Sequence, residues 1–226
     1  MSNKDYHLIV VAHPDDETLF FSGVIQRLKS MPWKIICLTD GNADGRGSAR
    51  LLEFESACKR MQVKEFERWD FPDIYHQRLD ISSIVSKLAA LDKPSCVYSH
   101  GILGEYGHPH HQDTAYAVHL AFNHLCPILV PAQNCLPDVS YELTAAEFKL
   151  KNDILSQIYA LEFNKFAHLV PCTWSEGFTS MQTDEVETIY QFLIGKKNLD
   201  ISKLKKFHLL ADHIKQTFGN PRKRLF

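Results

Sequence analysis

The sequence predicts an α/β fold, a three-layer sandwich in which a mostly parallel sheet lies between two layers of helices. Three observations predict it. Apolar runs alternate with segments of helical spacing through the first 130 residues, the pattern of strand, crossover helix and strand. The first run, Leu8-Ile9-Val10-Val11-Ala12, is apolar without alternation, as a strand covered on both faces must be. The chain of 226 residues is 45% hydrophobic and 23% charged, ordinary globular values, and a chain of this size buries roughly 70% of its unfolded surface without staples.

After the first strand, Leu19, Phe20, Val24 and Leu28 recur at helical spacing, which predicts a helix over 17–30. A second strand over 33–39 runs into the Gly- and Asp-rich loop 40–47. Ser48 can cap a helix reaching about residue 61. A third strand is expected over 65–71, ended by Pro72, and Ile81, Ile84, Val85, Leu88 and Leu91 mark the next helix. A fourth strand over 95–99 and a helix over 112–125 follow. Beyond them the pattern is less regular: a fifth strand over 128–130 and helices over 144–163, 184–193 and 201–218. The whole chain, 1–226, reads as one domain, with 1–130 as the core carrying the chemistry and 131–226 as a mainly helical completion. The basic tail Pro221-Arg222-Lys223-Arg224 reads as a solvated end.

Twenty-five Lys and Arg against 27 Asp and Glu give a net charge of −2, which argues against nucleic acid or an acidic membrane as partner. No stretch is long and apolar enough for a transmembrane helix, and the first residues do not read as a signal peptide. Six cysteines (Cys37, Cys58, Cys96, Cys126, Cys135, Cys172) form no CxxC pair and read as reduced thiols, which places the protein in the cytoplasm. A homo-oligomer is compatible with this composition.

Ligands of open α/β sheets bind outside the carboxyl ends of the strands. The first strand leads there into Ala12-His13-Pro14-Asp15-Asp16-Glu17, and the fourth into His100-Gly101-Ile102-Leu103-Gly104-Glu105-Tyr106-Gly107-His108-Pro109-His110-His111. Adjacent carboxylates at the end of a buried strand repel each other and lose water. Capping of the next helix explains one of them; a cation satisfies both and His13 as well. A catalytic zinc takes three protein ligands and keeps one open position. His13 and Asp16 supply two, and the histidine cluster the third.

These two segments resemble the LmbE-like/PIG-L family of zinc-dependent N-acetylglucosaminyl deacetylases. The likeness runs from about Tyr6 to Leu125 and includes Arg50-Leu51-Leu52-Glu53, similar to the family's Arg-x-x-Glu. It implies a Rossmann-like fold and metal-dependent removal of an acetyl group from an amino sugar or glycoconjugate. Carried over by position, it implies His13, Asp16 and His111 as metal ligands and Asp15 as catalytic base. It implies His108 and Tyr106 at the oxyanion. His110 stands where many members have Asp or Asn, and is a rival to His111 as third ligand. Met61-Gln62 replaces the usual Leu-Gly after the Arg-x-x-Glu helix and is expected to be neutral. Zn²⁺ is the expected cofactor, though two histidines and a carboxylate also suit Fe²⁺ or Co²⁺.

The chemistry is consistent with that set. A catalytic zinc acidifies its water to a pKa of roughly 7 and polarises a carbonyl; Asp15 can take the water proton. His108, read as an imidazolium with a pKa above the ordinary value of about 6.5, can neutralise the oxyanion. The leaving amine takes its proton from Asp15 or from His108. Arg50 reads as a contact to a sugar hydroxyl or phosphate, or else as a surface ion pair with Glu53. Glu17 either orients His13 or favours the helix N-terminus, His100 reads as a structural histidine, and Asp113 as a helix cap. The 40–47 loop is either a lid or a plain connection.

Other readings compete with this one. A nucleotide-binding module needs a glycine-rich turn after the first strand, where this chain carries carboxylates. A metal-bound, non-catalytic carbohydrate-binding protein has no use for the free carboxylate Asp15. An amidase acting on a different N-acyl or thiol conjugate keeps the same chemistry with another acyl pocket.

Overall fold

The computed structural model describes residues 5–218, so the basic tail at 221–224 lies outside the described residues. The elements run β1 (His7–Val11), α1 (Asp16–Arg27), β2 (Trp33–Thr39), α2 (Gly47–Arg60), β3 (Glu65–Phe71), α3 (Ile81–Ala89), β4 (Cys96–Ser99) and α4 (Pro109–Phe122). Then follow β5 (Ile128–Pro131), β6 (Val139–Glu142), α5 (Ala145–Gln157), α6 (Ala160–Phe166), β7 (Ser175–Thr179), α7 (Thr183–Leu193) and α8 (Ala211–Phe218). They form one seven-stranded sheet of order β3-β2-β1-β4-β5-β7-β6. The first five strands in that order are parallel, and β7 is antiparallel to both β5 and β6. The α/β class with a mostly parallel, helix-flanked sheet is therefore as the sequence predicts.

Strand periodicity divides the core in two. Leu8 and Val10 of β1 face one way, with Ile36 and Leu38 of β2, and are covered by α3, α4, α7 and α8. Ile9 and Val11, with Ile35 and Cys37, face the other way and are covered by α1, α2, α5 and α6. Both faces are apolar, which is why these strands read as continuous apolar runs. The strand order reverses between β1 and β4, so the segments after their carboxyl ends border one crevice.

The second half departs most from expectation. It adds two strands to the sheet, β6 and β7, besides its helices; both are short and polar, Val139-Ser-Tyr-Glu and Ser175-Glu-Gly-Phe-Thr, and give little period-2 signal. The helix expected over 144–163 is two helices. A capping box of Thr144 and Glu147 starts α5, and the break falls at Tyr159, which is fully buried and whose hydroxyl donates to Glu17 Oε1 at 2.9 Å. The helix expected over 201–218 shrinks to α8, preceded by short 3-10 turns at 201–203 and 208–210. Helix α4 starts earlier than expected because Pro109 occupies its first turn and His108 caps it.

Met61-Gln62 is not a neutral replacement. The amide of Gln62 donates to Lys59 O at 3.0 Å and that of Val63 to Cys58 O at 3.0 Å, the paired bonds that close a helix through a left-handed residue. Gln62 is that residue, with φ 64, a conformation that favours glycine. Gln62→Gly is expected to raise stability by about 1 kcal/mol, read as a higher denaturant midpoint at unchanged m-value.

A buried ion pair ties α1 to the second half. Lys151 of α5, fully buried, reaches Glu176 of β7 at 2.6 Å and Leu19 O at 3.1 Å. Glu176 accepts the amides of Gly23 and Val24 at 2.7 Å each. A Cβ on Gly23 would lie 2.7 Å from the Glu176 carboxyl carbon, so only glycine admits this approach. All six cysteines are free. Among the described residues no helix is long and apolar enough to cross a membrane.

Candidate metal centre and active site

The turn after β1 is built on an unusual backbone. Asp15, the residue before α1, has φ 113, a value that side-chain-bearing residues rarely adopt and that persists only where the surroundings hold it. Here Glu17 Oε2 accepts the Asp15 amide at 3.0 Å, and Arg50 Nη2 donates to Pro14 O at 2.5 Å and to Asp15 Oδ2 at 3.1 Å. Glu17 thus holds the turn and Tyr159, and its hydrogen bonds go to Asp15, Thr18 and Tyr159 rather than to His13. Arg50 is buried and turned inward; Glu53 is taken by Arg46 at 2.6 Å, so the alternative of an Arg50–Glu53 surface pair is not what forms. Burial pushes the Asp15 carboxyl well above its ordinary range, against the pull of Arg50.

Ligand atoms of His13, Asp16 and His111 lie within 4.8 Å of one another, all buried. Asp16 Oδ2 is 3.4 Å from His13 Nδ1 and 3.4 Å from His111 Nε2. Hydrogen-bond partners assign the tautomers. His110 Nε2 faces Gln77 O at 2.9 Å and must donate, leaving Nδ1 to accept from His13 Nε2 at 3.1 Å. The proton on His13 is then on Nε2, and Nδ1 turns a lone pair toward Asp16. His111 Nδ1 donates to Glu105 Oε2 at 2.7 Å, so its Nε2 also carries a lone pair. That atom is buried without a hydrogen-bond partner, a costly state that a cation relieves. Burial lowers His13 to about 4, keeping it neutral. Asp16 Oδ2 accepts the His13 amide at 2.8 Å, a bond that favours its ionised form. Two neutral imidazoles and a carboxylate fit a divalent cation of the zinc type.

Two other groups of donors lie close by, His13 with His108 and His110, and His100 with Glu105 and His111. The first already holds the His13–His110 proton. In the second, both histidines aim protonated nitrogens at one carboxylate. Of the two neighbours that the sequence left as rivals, the structure sets His111 beside Asp16 and His110 behind His13.

His108 caps α4, its Nδ1 accepting the His110 amide at 3.2 Å. That bond needs a lone pair, so the ring is neutral with its proton on Nε2. Burial and the neighbouring histidines push its pKa well down. The expectation of an imidazolium with a raised pKa is therefore corrected: three imidazoles stand around it, with ring centroids 4.6–5.3 Å away. Tyr106 lies 5.1 Å from the His111 ring, and burial raises its phenol, which stays a donor. Asp113 neither caps α4 nor touches His111; it accepts Leu79 N at 2.9 Å, Arg78 at 3.0 Å and Tyr190 at 2.8 Å, anchoring the segment after β3. For His100, burial alone lowers the pKa, but Glu105 and Asp16 outweigh it and raise it to about 10. The Ala12 amide, however, aims at His100 Nε2 at 3.0 Å, and an amide donor there requires a neutral ring; the bond geometry decides.

His13, Asp15, Arg50, Tyr106, His108 and His110 line one cavity of about 430 Å³. Residues that sequence reasoning missed complete it. Asp73, just past β3, lies 3.4 Å from His110 Nδ1 and 3.7 Å from His13 Nε2. It follows a strand's carboxyl end, as the segments after β1 and β4 do. Glu162, Lys165 and His168 come from the second half, where no local motif marks them. Ala43 brings the 40–47 loop to the wall.

The switch point of this mostly parallel sheet thus carries a His/Asp set whose donors could hold a cation, beside a raised carboxyl. The family model described as "PIG-L: GlcNAc-PI de-N-acetylase" matches residues 8–122, just over half the chain, and the chain belongs to this PIG-L/LmbE family. The N-acetylglucosaminyl-phosphatidylinositol de-N-acetylase of Saccharomyces cerevisiae is 39% identical over 95 residues, 38% of this chain and 31% of the relative. The match thus spans about a third of that protein's length. Among solved structures, the N,N'-diacetylchitobiose deacetylase from Pyrococcus horikoshii superposes with a TM-score of 0.63 at 16% identity, over 78% of this chain and 84% of that one. The zinc-inhibited form of teicoplanin deacetylase Orf2 gives 0.58 at 12% identity, over 78% and 99%. At those identities the structures establish the shared fold.

Proposed function

We propose that this protein is a metal-dependent de-N-acetylase acting on an N-acetylglucosamine-type sugar or its conjugate. The observation that carries the reading is the convergence of the buried His13, Asp16 and His111 ligand atoms within 4.8 Å of one another, next to a 430 Å³ cavity whose wall includes His13 and Asp15. The yeast and Pyrococcus relatives are both named for removing acetyl groups from amino sugars, which supports that substrate class. Two histidines and a carboxylate suit Zn²⁺, and Fe²⁺ or Co²⁺ suits the same ligands; the teicoplanin deacetylase structure is a zinc-inhibited form, so zinc enters at least one protein of this fold.

His13 Nδ1, an Asp16 oxygen and His111 Nε2 would hold the cation. When bound, it supplies an acidified water and a polarised amide carbonyl. Asp15 removes the proton from the attacking water, its second oxygen pinned by Arg50; the raised carboxyl makes it a stronger base than a solvated aspartate. His108 donates its Nε2–H to the oxygen that gains charge as the carbonyl carbon becomes tetrahedral, with Tyr106 as a second donor. When the C–N bond breaks, the proton held on Asp15 passes to the leaving nitrogen, because His108 has none to spare. Water is consumed, and acetic acid and the amine leave, the acid's proton passing on to give acetate and an ammonium group in solution.

The test is acetate release from a panel of N-acetylglucosaminyl compounds, free and conjugated, before and after chelation. Release that stops with chelator and returns with Zn²⁺ is the expected result. Release unaffected by chelator would overturn the metal's part. Hydrolysis confined to longer N-acyl analogues would move the reading to an amidase of different acyl specificity.

A further inference from the structure

His100 and His111 are near duplicates in space. Their rings stack at 3.8 Å with 21° between planes. Both Nδ1 atoms meet the same oxygen, Glu105 Oε2, at 3.0 and 2.7 Å, and both Nε2 atoms reach Asp16 Oδ2, at 3.3 and 3.4 Å. They differ in one contact: the Ala12 amide occupies His100 Nε2 at 3.0 Å, while His111 Nε2 is buried and unpartnered. We propose that Glu105 is a positioning residue that fixes both rings in the Nδ1–H tautomer, so that His100 is committed to the β1 backbone and His111 alone offers a lone pair to the cation. This rests on the metal-site reading above.

Three features support the assignment. A carboxylate only accepts, so two N–H groups converging on Oε2 can both be satisfied only with protons on Nδ1. Hydrogen bonding of a ligand's second nitrogen to a carboxylate fixes ring orientation and raises its basicity. Glu105 also has φ 52, a left-handed backbone state that side-chain-bearing residues adopt at a cost. Its side chain offsets that by taking both histidines through Oε2 and the Gly101 amide through Oε1 at 2.7 Å. The carboxylate is buried with its partners, with side-chain exposure of 0% for Glu105, His100 and His111.

The decisive variant is Glu105→Gln. If the amide oxygen keeps both histidines, its NH₂ faces the Gly101 amide, donor against donor. If the amide flips, NH₂ faces the histidines, and a ring that answers with a lone pair on Nδ1 moves its proton to Nε2, away from use as a ligand. Zn²⁺ affinity, measured by competition with a chromophoric chelator, is expected to fall roughly 10–100-fold, and the visible spectrum of Co²⁺-loaded protein should change. Unweakened Zn²⁺ binding by the folded variant, with wild type binding normally, overturns the role of Glu105 alone. Absence of Zn²⁺ binding by wild type overturns the metal-site reading and this proposal together. Should Glu105→Gln fail to fold, ¹⁵N spectra of metal-free wild-type protein decide: His111 and His100 protonated on Nδ1 support the proposal, and His111 protonated on Nε2 overturns it.

Discussion

His111→Ala is expected to leave the protein without bound metal and without deacetylase activity, whereas His110→Ala keeps the metal at reduced affinity. The neighbours differ by a rotation along α4. His111 Nε2 lies 3.4 Å from Asp16 and has no other partner, so its loss leaves two ligands of three. His110 Nδ1 accepts the His13 Nε2–H at 3.1 Å, and its own Nε2–H donates to the Gln77 carbonyl at 2.9 Å. Its removal costs His13 an orienting acceptor, worth roughly 10–100-fold in metal affinity, and loss of a ligand costs more than that. Elemental analysis of both purified variants, with chelator competition on any that retain metal, separates the cases. Metal lost from His110→Ala and kept by His111→Ala would reverse the ligand assignment.

Asp15→Asn should retain metal and lower kcat by roughly 10²–10⁴, the contribution of a positioned general base. The substitution is nearly isosteric, so it places the same demand on the unusual backbone at φ 113 as the wild-type residue does. Alanine would confound loss of the base with backbone strain. Arg50 keeps Pro14 O, at 2.5 Å, as an acceptor in the variant, so the turn retains one of its ties. Steady-state rates with metal content measured on the same sample provide the check. A rate close to wild type would show that the water proton leaves by another group, and the neutral His108, whose Nδ1 is committed to the His110 amide, would be the next group to substitute.

Much of this site is legible locally because its parts are consecutive. His13, Asp15 and Asp16 share one turn, His108 and His111 share one helix start, and both follow strands whose continuous apolar runs announce them. The rule that ligands collect beyond strand carboxyl ends brings the two segments together from residue order alone. It applies equally to Asp73, beyond β3, but that residue stands alone in sequence and forms no cluster to notice. Glu105 lies inside the loop after β4 with nothing to single it out, because the order Gly-Glu-Tyr-Gly does not show that a carboxylate will turn back onto His100 and His111.

The sequence by itself determined the α/β class, the parallel core of five strands and the two segments that meet at its switch point. Those are consequences of hydrophobic period and residue type, which local order records. Tertiary structure alone decided that Glu53 goes to Arg46 and Arg50 to Asp15, that His110 stands behind His13, and that His108 is neutral. It also decided that the second half closes the sheet with two antiparallel strands and contributes Glu162, Lys165 and His168 to the cavity. Each of these depends on which groups remain to pair once water is removed. Burial sets pKa values and makes every unpaired polar atom costly, so partners are chosen in three dimensions among residues far apart in the chain, as Glu17 and Tyr159 are.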